Sequence, residues 1–214
     1  MEIVRIAELL GPFTGEETPA PPFLEALQRY LELLLRWNAR VNLTAVRDPE
    51  GIVSRHFGES LFAARVLLGK ADVSATVADV GSGAGFPGIP MKLFAPNIEL
   101  KLIESQNKKA VFLREVVRTL ALEGVEVFGG RAEQWGKTAG LVTLRAVEQF
   151  ERALPVAAKL VAPTGRLGLL IGTGQVARAQ ELLGAHWDWR QPALVPQTEG
   201  RVVLAGQSTM PAAP

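Results

Sequence analysis

The hydrophobic residues of the first 70 positions recur at the spacing of an α-helix. One stripe consists of Leu24, Leu27, Leu31 and Leu34. Leucines three or four positions apart are typical of an amphipathic helix. Asp48-Pro49 has the residue types of a helix start, and apolar residues continue at helical spacing to Leu67. We expect Gly11-Pro12 to end a short first helix. The pattern predicts a helical N-terminal extension over residues 1–70.

The pattern changes after residue 70, where short apolar runs alternate with stretches of helical period. The predicted strands are Ala75–Val80, Ile98–Ile103, Val125–Phe128, Leu141–Leu144 and Arg166–Ile171. The predicted helices between them are Gly88–Phe94, Lys108–Leu122 and Gln149–Leu160. Strands that alternate with helices indicate βαβ units and a parallel sheet.

Two further predicted strands, Trp187–Val195 and Arg201–Ala205, have no predicted helix between them. They are therefore expected to form an antiparallel pair at the edge of the sheet. The sequence predicts one α/β domain over residues 1–214, with a mostly parallel, seven-stranded sheet. The Rossmann-like core of this domain is predicted over residues 75–206, and the helical extension precedes it in the chain.

Composition excludes several classes of function. Hydrophobic residues make up 48% of the 214 positions and charged residues 21%, which is close to the average of globular proteins. The net charge is +1, so any surface for nucleic acid must be a local patch. The chain has no cysteine and two histidines, which excludes thiol chemistry and disfavours a metal site. Neither a signal peptide nor an apolar run of the ~20 residues of a membrane span is present, so we expect a cytoplasmic protein.

A glycine-rich turn follows the first predicted strand. A dinucleotide pattern can be matched with Gly83, Gly85 and Gly88, but it begins late relative to the end of the strand. The alternative pattern, an acid followed by alternate glycines, is in register and consists of Asp79, Gly81, Gly83 and Gly85. A carboxylate here would repel a pyrophosphate and attract a ligand with an ammonium and a sulfonium group. The turn therefore favours S-adenosylmethionine over NAD.

Other candidate binding residues lie where later strands end. Glu104 ends the second strand about 20 residues beyond Gly81, which is the place of an acid that binds ribose hydroxyls. It could instead be a solvated charge paired with a lysine such as Lys101. Ala132-Glu133 follows the third strand, beside the expected adenine, although Glu133 could serve as a charge at a helix N-terminus.

Arg145 ends the fourth predicted strand, on the ligand side of the sheet. An arginine there suits a carboxylate or a phosphate. The alternative is an ion pair with Glu148 or Glu151.

Several motifs along the chain together resemble one known family. They are Trp37-Asn38, Asn42-Leu43-Thr44-Ala45, Asp48-Pro49, Arg55-His56, Glu59-Ser60-Leu61, the run DVGSGAGFPGIP from Asp79 to Pro90, Lys108-Lys109, Gly130-Arg131-Ala132-Glu133, Arg145-Ala146, and Ala162 to Leu167. In this order they are similar to the bacterial small-subunit ribosomal RNA methyltransferase G family, once called glucose-inhibited division protein B. The resemblance covers most of residues 30–172.

The resemblance implies a class I methyltransferase with a Rossmann-like fold that binds S-adenosylmethionine and methylates guanine N7 near the decoding site of small-subunit ribosomal RNA. The family's contacts to the cofactor map onto Gly81, Phe86, Ala132, Glu133 and Arg145, with Glu104 as the ribose acid. Guanine N7 carries no proton at neutral pH, so we expect a positioning mechanism without a catalytic base. Three positions depart from the family pattern: Glu59 replaces Asp, Leu144 replaces Ser and Ile171 replaces Lys.

Contacts to RNA are expected from local cations. The candidates are Arg40, Arg55, His56, Lys108, Lys109 and Arg145. Their alternative role is that of solvated side chains on amphipathic helices. Asn38, Asn42 and His56 could serve either as polar struts between the helical extension and the sheet or as contacts to the substrate. Phe86 could be an apolar residue at the mouth of the site or part of the core.

Two other functions remain open from the residues alone. One is an NAD-dependent oxidoreductase, for which an evident Tyr/Lys or His pair is missing. The other is a module that binds S-adenosylmethionine on the ribosome without catalysis. We expect a monomer.

Overall fold

The computed structural model describes residues 1–15, 19–69, 74–145 and 150–209. The N-terminal extension contains α1 (Ile3–Thr14), α2 (Pro21–Asn38), α3 (Pro49–Ile52), a π-helical segment (Val53–Gly58) and α4 (Glu59–Leu68). Asp48 caps α3, because its side chain accepts a hydrogen bond from the N–H of Gly51 at 2.6 Å. The predicted helical extension is therefore present as expected.

The prediction that Gly11-Pro12 ends the first helix is wrong. Helix α1 continues through Pro12 to Thr14. Ile6, Leu10 and Phe13 lie one helical turn apart and are buried, so their burial stabilises the last turn. Pro12 is exposed. Proline has no N–H, so the carbonyl group four positions earlier in the helix lacks its usual partner and can bind water instead.

The remaining elements alternate between strands and helices. They are β1 (Thr76–Val80), α5 (Gly88–Phe94), β2 (Glu99–Ile103), α6 (Asn107–Thr119), β3 (Val125–Phe128), β4 (Ala139–Arg145), α7 (Phe150–Lys159), β5 (Val161–Gly172), α8 (Val176–Leu183), β6 (Trp187–Trp189), β7 (Ala193–Leu194) and β8 (Arg201–Ser208). The predicted start of α7 at Gln149 lies outside the described residues. Helix α8 is an element that the sequence pattern did not predict.

The strands form one sheet in the order β3-β2-β1-β4-β5-β8-β6, with β7 also paired to β8. Strands β1 to β5 are parallel, and β8 runs antiparallel to β5, β6 and β7. The strand order reverses beside β1, which has β2 on one side and β4 on the other. Open α/β sheets bind ligands at such a point, beyond the carboxyl ends of the strands.

The described residues contain eight strands instead of the predicted seven. The predicted strand Trp187–Val195 is two short strands, β6 and β7. Pro192 lies between them and cannot donate a hydrogen bond to a strand ladder. The predicted antiparallel pairing is present, but β8 lies inside the sheet, between β5 and β6.

Alternate residues of the strands face two separate cores. Val77, Leu100 and Leu141 pack with the helices of the extension, α5 and α6. Ala78 and Val142 pack on the other face against α7 and α8. The extension is thus part of the packing of one face of the sheet. Within the described ranges, no helix has the length and apolar character needed to cross a membrane.

Candidate active site

The turn after β1, residues 81–87, is here called the glycine loop. Gly81, Gly83 and Gly85 have φ angles of 67°, 56° and 91°, a region that side-chain-bearing residues rarely adopt. The N–H of Gly81 donates to the carbonyl of Ile103 at 2.9 Å, which ties the loop to the end of β2. A Cβ on Gly85 would lie 2.6 Å from Oη of Tyr30. The loop therefore needs glycine for both its backbone and its packing.

Asp79 lies beneath the glycine loop and is fully buried. Its Oδ1 accepts a hydrogen bond from Oγ1 of Thr143 at 2.8 Å, and its Oδ2 accepts one from the N–H of Gly88 at 3.2 Å. Burial raises the pKa of this carboxyl group to about 6. The acid that precedes the glycines thus joins β4 to the start of α5.

Glu104 is buried at the end of β2. Its Oε2 accepts from the N–H of Gly83 at 2.9 Å, and its Oε1 accepts from the N–H of Gln106 at 2.7 Å. The alternative of a surface ion pair with Lys101 is wrong, because Lys101 pairs with Glu126 at 3.0 Å. Each carboxylate oxygen can accept a second hydrogen bond, so capacity for ribose hydroxyls remains.

A cavity of about 370 Å³ opens beside the loop and is here called the glycine-loop cavity. Its lining includes Gly81 after β1, Ile103 and Ser105 at the end of β2, and Ala132 and Glu133 after β3. A volume of about 300–1,000 Å³ is usual for a small-molecule site. Glu133 also lies in the first turn of a short 3₁₀-helix. Its position is therefore compatible both with a contact to adenine and with a charge at a helix N-terminus.

Phe86 is packed in an aromatic cluster instead of standing at the mouth of a cavity. Its ring centroid lies 4.9 Å from His56, 5.5 Å from Tyr30 and 5.6 Å from Phe57. The hydroxyl of Tyr30 donates to the carbonyl of Ala84 in the glycine loop. Phe86 is therefore part of the core, which was one of its two expected positions. The cluster ties α2 and the π-helical segment to the loop.

Arg145 lies at the centre of a buried polar network. Its Nη2 donates to Oε2 of Glu59 at 2.9 Å and to the carbonyl of Arg55 at 2.7 Å, and it lies 3.1 Å from Nδ1 of His56. Its guanidinium carbon lies 5.7 Å from the ring centroid of Phe86. The arginine thus links the end of β4 to the helical extension.

The ion pair of Arg145 differs from the sequence-based alternatives. Glu151 pairs with Arg178 at 2.8 Å, and Glu148 lies outside the described residues. The partner of Arg145 is Glu59, an acid 86 positions earlier in the chain. A separation of this size explains why sequence reasoning did not find Glu59 as a partner.

His56 and Asn38 are polar struts in the structure. Nε2 of His56 lies 2.6 Å from Oγ1 of Thr44, and burial, followed by the charge of Arg145, lowers the pKa of the imidazole to about 3. Asn38 Oδ1 accepts from the N–H groups of Leu43 and Thr44. The prediction of His56 as a contact to RNA therefore gives way to a structural role, because both of its ring nitrogens are used inside the protein.

The remaining candidate cations for RNA are placed differently. Arg55 is exposed, and its carbonyl contacts Arg145. Lys108 is exposed in the first turn of α6, and Lys109 beside it is half-buried. Helix α6 follows β2 at the ligand edge of the sheet, and the π-helical segment with Arg55 contacts the end of β4 through Arg145. Arg40 is exposed just after α2. The three lysine and arginine positions near the ligand edge are available to phosphates.

A second cavity of about 380 Å³, here called the Arg145 cleft, lies at the carboxyl ends of β4 and β5. Arg145, Glu59 and Arg201 line it, together with Ile171. Nη1 of Arg201 donates to Oε2 of Glu59 at 2.7 Å and to Oε1 at 3.0 Å. Sequence reasoning missed Arg201, and it marked Glu59 and Ile171 only as departures from a pattern. Leu144, the third departure, faces the apolar core.

Comparison with known proteins identifies the family of the chain. A family model described as GidB, rRNA small subunit methyltransferase G, matches residues 23–186. The chain belongs to the rRNA small subunit methyltransferase G family. Ribosomal RNA small subunit methyltransferase G of Roseiflexus sp. (strain RS-1) is 38% identical over 193 residues, which cover 85% of this chain and 81% of that protein.

Solved structures share the fold at low sequence identity. A predicted O-methyltransferase from Agrobacterium tumefaciens has a TM-score of 0.60 and 19% identity, covering 72% of this chain and 82% of that one. TYW2 of Pyrococcus horikoshii, described in complex with MeSAdo, has a TM-score of 0.58 and 14% identity, covering 72% and 63%. The class I methyltransferase fold and the membership of the methyltransferase G family, both expected from the sequence, are confirmed. The family membership decides against an NAD-dependent oxidoreductase.

Proposed function

We propose that this protein transfers the methyl group of S-adenosylmethionine to N7 of a guanine in small-subunit ribosomal RNA, near the decoding site. The observation that carries the proposal is the pair of cavities at one edge of the sheet. The glycine-loop cavity lies over β1, β2 and β3, and the Arg145 cleft lies over β4 and β5. A methyl donor and a methyl acceptor require separate sites that open at the same edge of the sheet.

The glycine-loop cavity fits the cofactor. Gly81 lets the backbone approach a ligand closely, and Glu104 stands at the end of β2 with unused acceptor capacity. Ala132 and Glu133 close the far side. S-adenosylmethionine, when bound, supplies a methyl group on a positively charged sulfur. The complex of the Pyrococcus horikoshii protein with MeSAdo supports a related ligand here.

The buried histidine and the buried carboxylates around the two sites suit an acceptor that needs no deprotonation. Both nitrogens of His56 have partners, and Asp79 is enclosed beneath the loop. Glu104 holds two backbone N–H groups, and Glu59 is paired with two arginines. A general base needs a free lone pair within reach of the substrate proton. These side chains instead position the loop and Arg145, as methylation of an unprotonated ring nitrogen requires.

Cations at the ligand edge support a nucleic-acid substrate. Arg55 and Lys108 are exposed on elements that flank the two cavities, and exposed cations at such a place bind phosphates. The same proposal includes a monomeric protein that acts in the cytoplasm on ribosomal RNA, without a membrane or metal partner.

Product analysis tests the proposal. The protein is incubated with radiolabelled S-adenosylmethionine and either naked small-subunit RNA or assembled small subunits. We expect label in one guanosine and, after borohydride and aniline treatment, cleavage of the RNA at that nucleotide, because N7 methylation makes the imidazole ring cationic. Labelled RNA that resists this cleavage would show that the acceptor is another atom.

The pH dependence of the reaction gives an independent measurement. The single-turnover rate should be nearly flat from about pH 7 to 9, because no essential base titrates in that range. A steeply rising limb would indicate that deprotonation enters the mechanism. Thermal melting with S-adenosylhomocysteine and with NAD is the control for cofactor choice, since a ligand that binds only the folded state raises the melting temperature.

A further inference from the structure

The Arg145 cleft has apolar walls and a charged floor. Leu170 and Ile171 from β5 and Val202 from β8 contribute to the walls. Gly172 of β5 pairs with Arg201 of β8, so this arginine enters the cleft where β5 ends. A slot with apolar walls and a few polar groups is suited to a flat nucleobase that has been turned out of its strand.

Glu59 forms the floor and connects three elements. It is 2% exposed and belongs to α4, while its partners Arg145 and Arg201 come from β4 and β8. Its distances to the two guanidinium groups are 2.9 Å and 2.7 Å. A buried carboxylate with two charge-assisted partners fixes the orientation of both.

The two arginines leave donors without acceptors. Arg201 uses only Nη1 for Glu59, and its side chain is 38% exposed. Its Nε and Nη2 make no hydrogen bond within the described ranges of the chain. Nε of the buried Arg145 likewise has no partner among the residues that the structure describes. Glu199 also lines the cleft, but no described hydrogen bond joins it to these donors. Because a guanidinium group only donates, they can bind an acceptor that a ligand brings into the cleft.

Guanine provides this acceptor and adenine does not. Guanine has N7 and O6 side by side, whereas adenine has an amino donor in place of O6. N7 must remain free to receive the methyl group, so O6 is the atom left for an arginine. Arg201 is the better placed of the two, because it is partly exposed while Arg145 is enclosed by its network.

We infer that Glu59 is a positioning residue that holds Arg201 at the wall of the Arg145 cleft, where the free guanidinium donors bind O6 of the acceptor guanine and select guanine over adenine. The inference rests on the proposed function, since it concerns the base that is methylated. It assigns a task to two residues that lie outside the glycine loop.

A double-mutant cycle tests the link between the two residues. Arg201→Met and Glu59→Gln should each lower kcat/KM for small-subunit RNA by about 10- to 100-fold, the range for losing a hydrogen bond to a charged group. The double variant should be no slower than Arg201→Met, because Glu59 acts through Arg201. Glu59→Asp keeps the charge and should recover most of the rate.

Two measurements separate positioning from folding. The affinity for S-adenosylhomocysteine should stay unchanged in all of these variants, measured well below their melting temperatures. Arg29→Met and Glu25→Gln remove an exposed ion pair of α2 and serve as matched controls with unchanged rates. If the effects of Glu59→Gln and Arg201→Met are additive, Glu59 does not act through Arg201 and the inference is overturned.

Base analogues test the recognition of O6. Small-subunit RNA is prepared with guanosine, inosine or adenosine at the methylated position. The wild-type protein should methylate inosine, which keeps O6, at about the rate of guanosine, and adenosine at least about 100-fold more slowly. In Arg201→Met this difference should largely disappear, and a ratio that stays unchanged would contradict the inference. Absence of N7 methylation of guanosine by the wild-type protein would instead contradict the proposed function.

Discussion

Nη2 of Arg145 lies 3.1 Å from Nδ1 of His56, so the cation stands beside one ring nitrogen of the histidine. The other ring nitrogen, Nε2, lies 2.6 Å from Oγ1 of Thr44. A positive charge at this distance disfavours a second positive charge on the imidazole. The histidine therefore connects the end of β4 to the segment after α2 as a neutral group.

His56 should remain neutral at every pH at which the protein functions. Burial and the charge of Arg145 lower its pKa from 6.5 to about 3. Because the folded state binds this proton more weakly than the unfolded chain, the stability gained from a neutral His56 is present above about pH 6.5. It is lost as the pH falls toward 3. Nitrogen-15 NMR of labelled imidazole should show one histidine that stays neutral down to about pH 4. The variant His56→Gln assigns the signal, and titration of that signal near pH 6.5 would contradict the network.

Asp79 should have the opposite pH dependence. Burial raises its pKa from 3.8 to about 6, so its contribution to stability is present at low pH and is lost as the pH rises through 6. Asp79→Asn keeps both hydrogen bonds, with Oδ1 toward Gly88 and the amide toward Thr143. We expect this variant to be more stable than the wild type at pH 8, by on the order of 2 kcal/mol in denaturant unfolding.

The same variant tests the field of Asp79 on a ligand. S-adenosylmethionine carries an ammonium and a sulfonium group, whereas S-adenosylhomocysteine lacks the sulfonium. Asp79→Asn should therefore weaken binding of the first ligand more than binding of the second, as measured by calorimetry. Equal losses for both ligands would show that the acid supports the loop only.

Glu104→Gln should weaken cofactor binding without unfolding the protein. The amide can accept from either Gly83 or Gln106, but its NH₂ group then faces the other backbone N–H. The misplaced NH₂ group and the lost charge both weaken the acceptor that Glu104 offers to ribose hydroxyls, and we expect the affinity for S-adenosylhomocysteine to fall by about 1–3 kcal/mol. Glu126→Gln on the exposed side of β3 is the matched control. Unchanged affinity in Glu104→Gln would remove Glu104 from the cofactor site.

Tyr30→Phe should loosen the glycine loop from the helical extension. The variant keeps the aromatic contacts with Phe86 and loses the hydrogen bond to Ala84, at a cost of about 1 kcal/mol. Gly85→Ala should be more severe, because its Cβ would lie 2.5 Å from Ile89 at a φ of 91°. Thermal melting with and without S-adenosylhomocysteine measures both effects. A smaller effect for Gly85→Ala than for Tyr30→Phe would contradict the described packing of the loop.

RNA affinity should depend on salt through a small number of cations. We expect log affinity to fall with log salt at a slope of about −3 to −5 for a patch of four to six cations. Charge reversal of Lys108 and Lys109 should reduce this slope and leave S-adenosylhomocysteine binding unchanged. Lys159→Glu is the control, because Lys159 ends α7 at the opposite edge of the sheet. Equal effects of the two changes would show that the ligand edge is not the RNA surface.

The elements that the sequence predicted have strong local signals. The strands before and after the glycine loop are short apolar runs, and the loop contains alternate glycines. Helix α8 was missed because Ala179 is its only described buried residue, so its apolar stripe is weak. The continuation of α1 through Pro12 was missed because burial of Phe13 outweighs a local breaker.

Sequence reasoning could name candidate residues that directly follow a predicted strand. It could not name contacts between residues that are distant in the chain. Glu104 and Ala132-Glu133 were predicted as cofactor contacts from their positions after strands, and they remain proposals. The pairing of Glu59 with Arg145, by contrast, depends on the π-helical segment, whose carbonyl of Arg55 and side chain of His56 also reach Arg145. Nothing in the residue types of this segment distinguishes it from an ordinary helix.

The position of β8 inside the sheet has a consequence for the order of folding. Gly83 and Glu104 are 21 positions apart, whereas Glu59 and Arg201 are 142 positions apart. Closing a longer chain segment costs more entropy and slows the step that forms its contacts. We therefore expect the unit of β1, α5 and β2 to form early, and the floor of the Arg145 cleft to form last, when β8 inserts between β5 and β6. A refolding chain should regain its ability to bind S-adenosylhomocysteine before it regains its ability to choose a base.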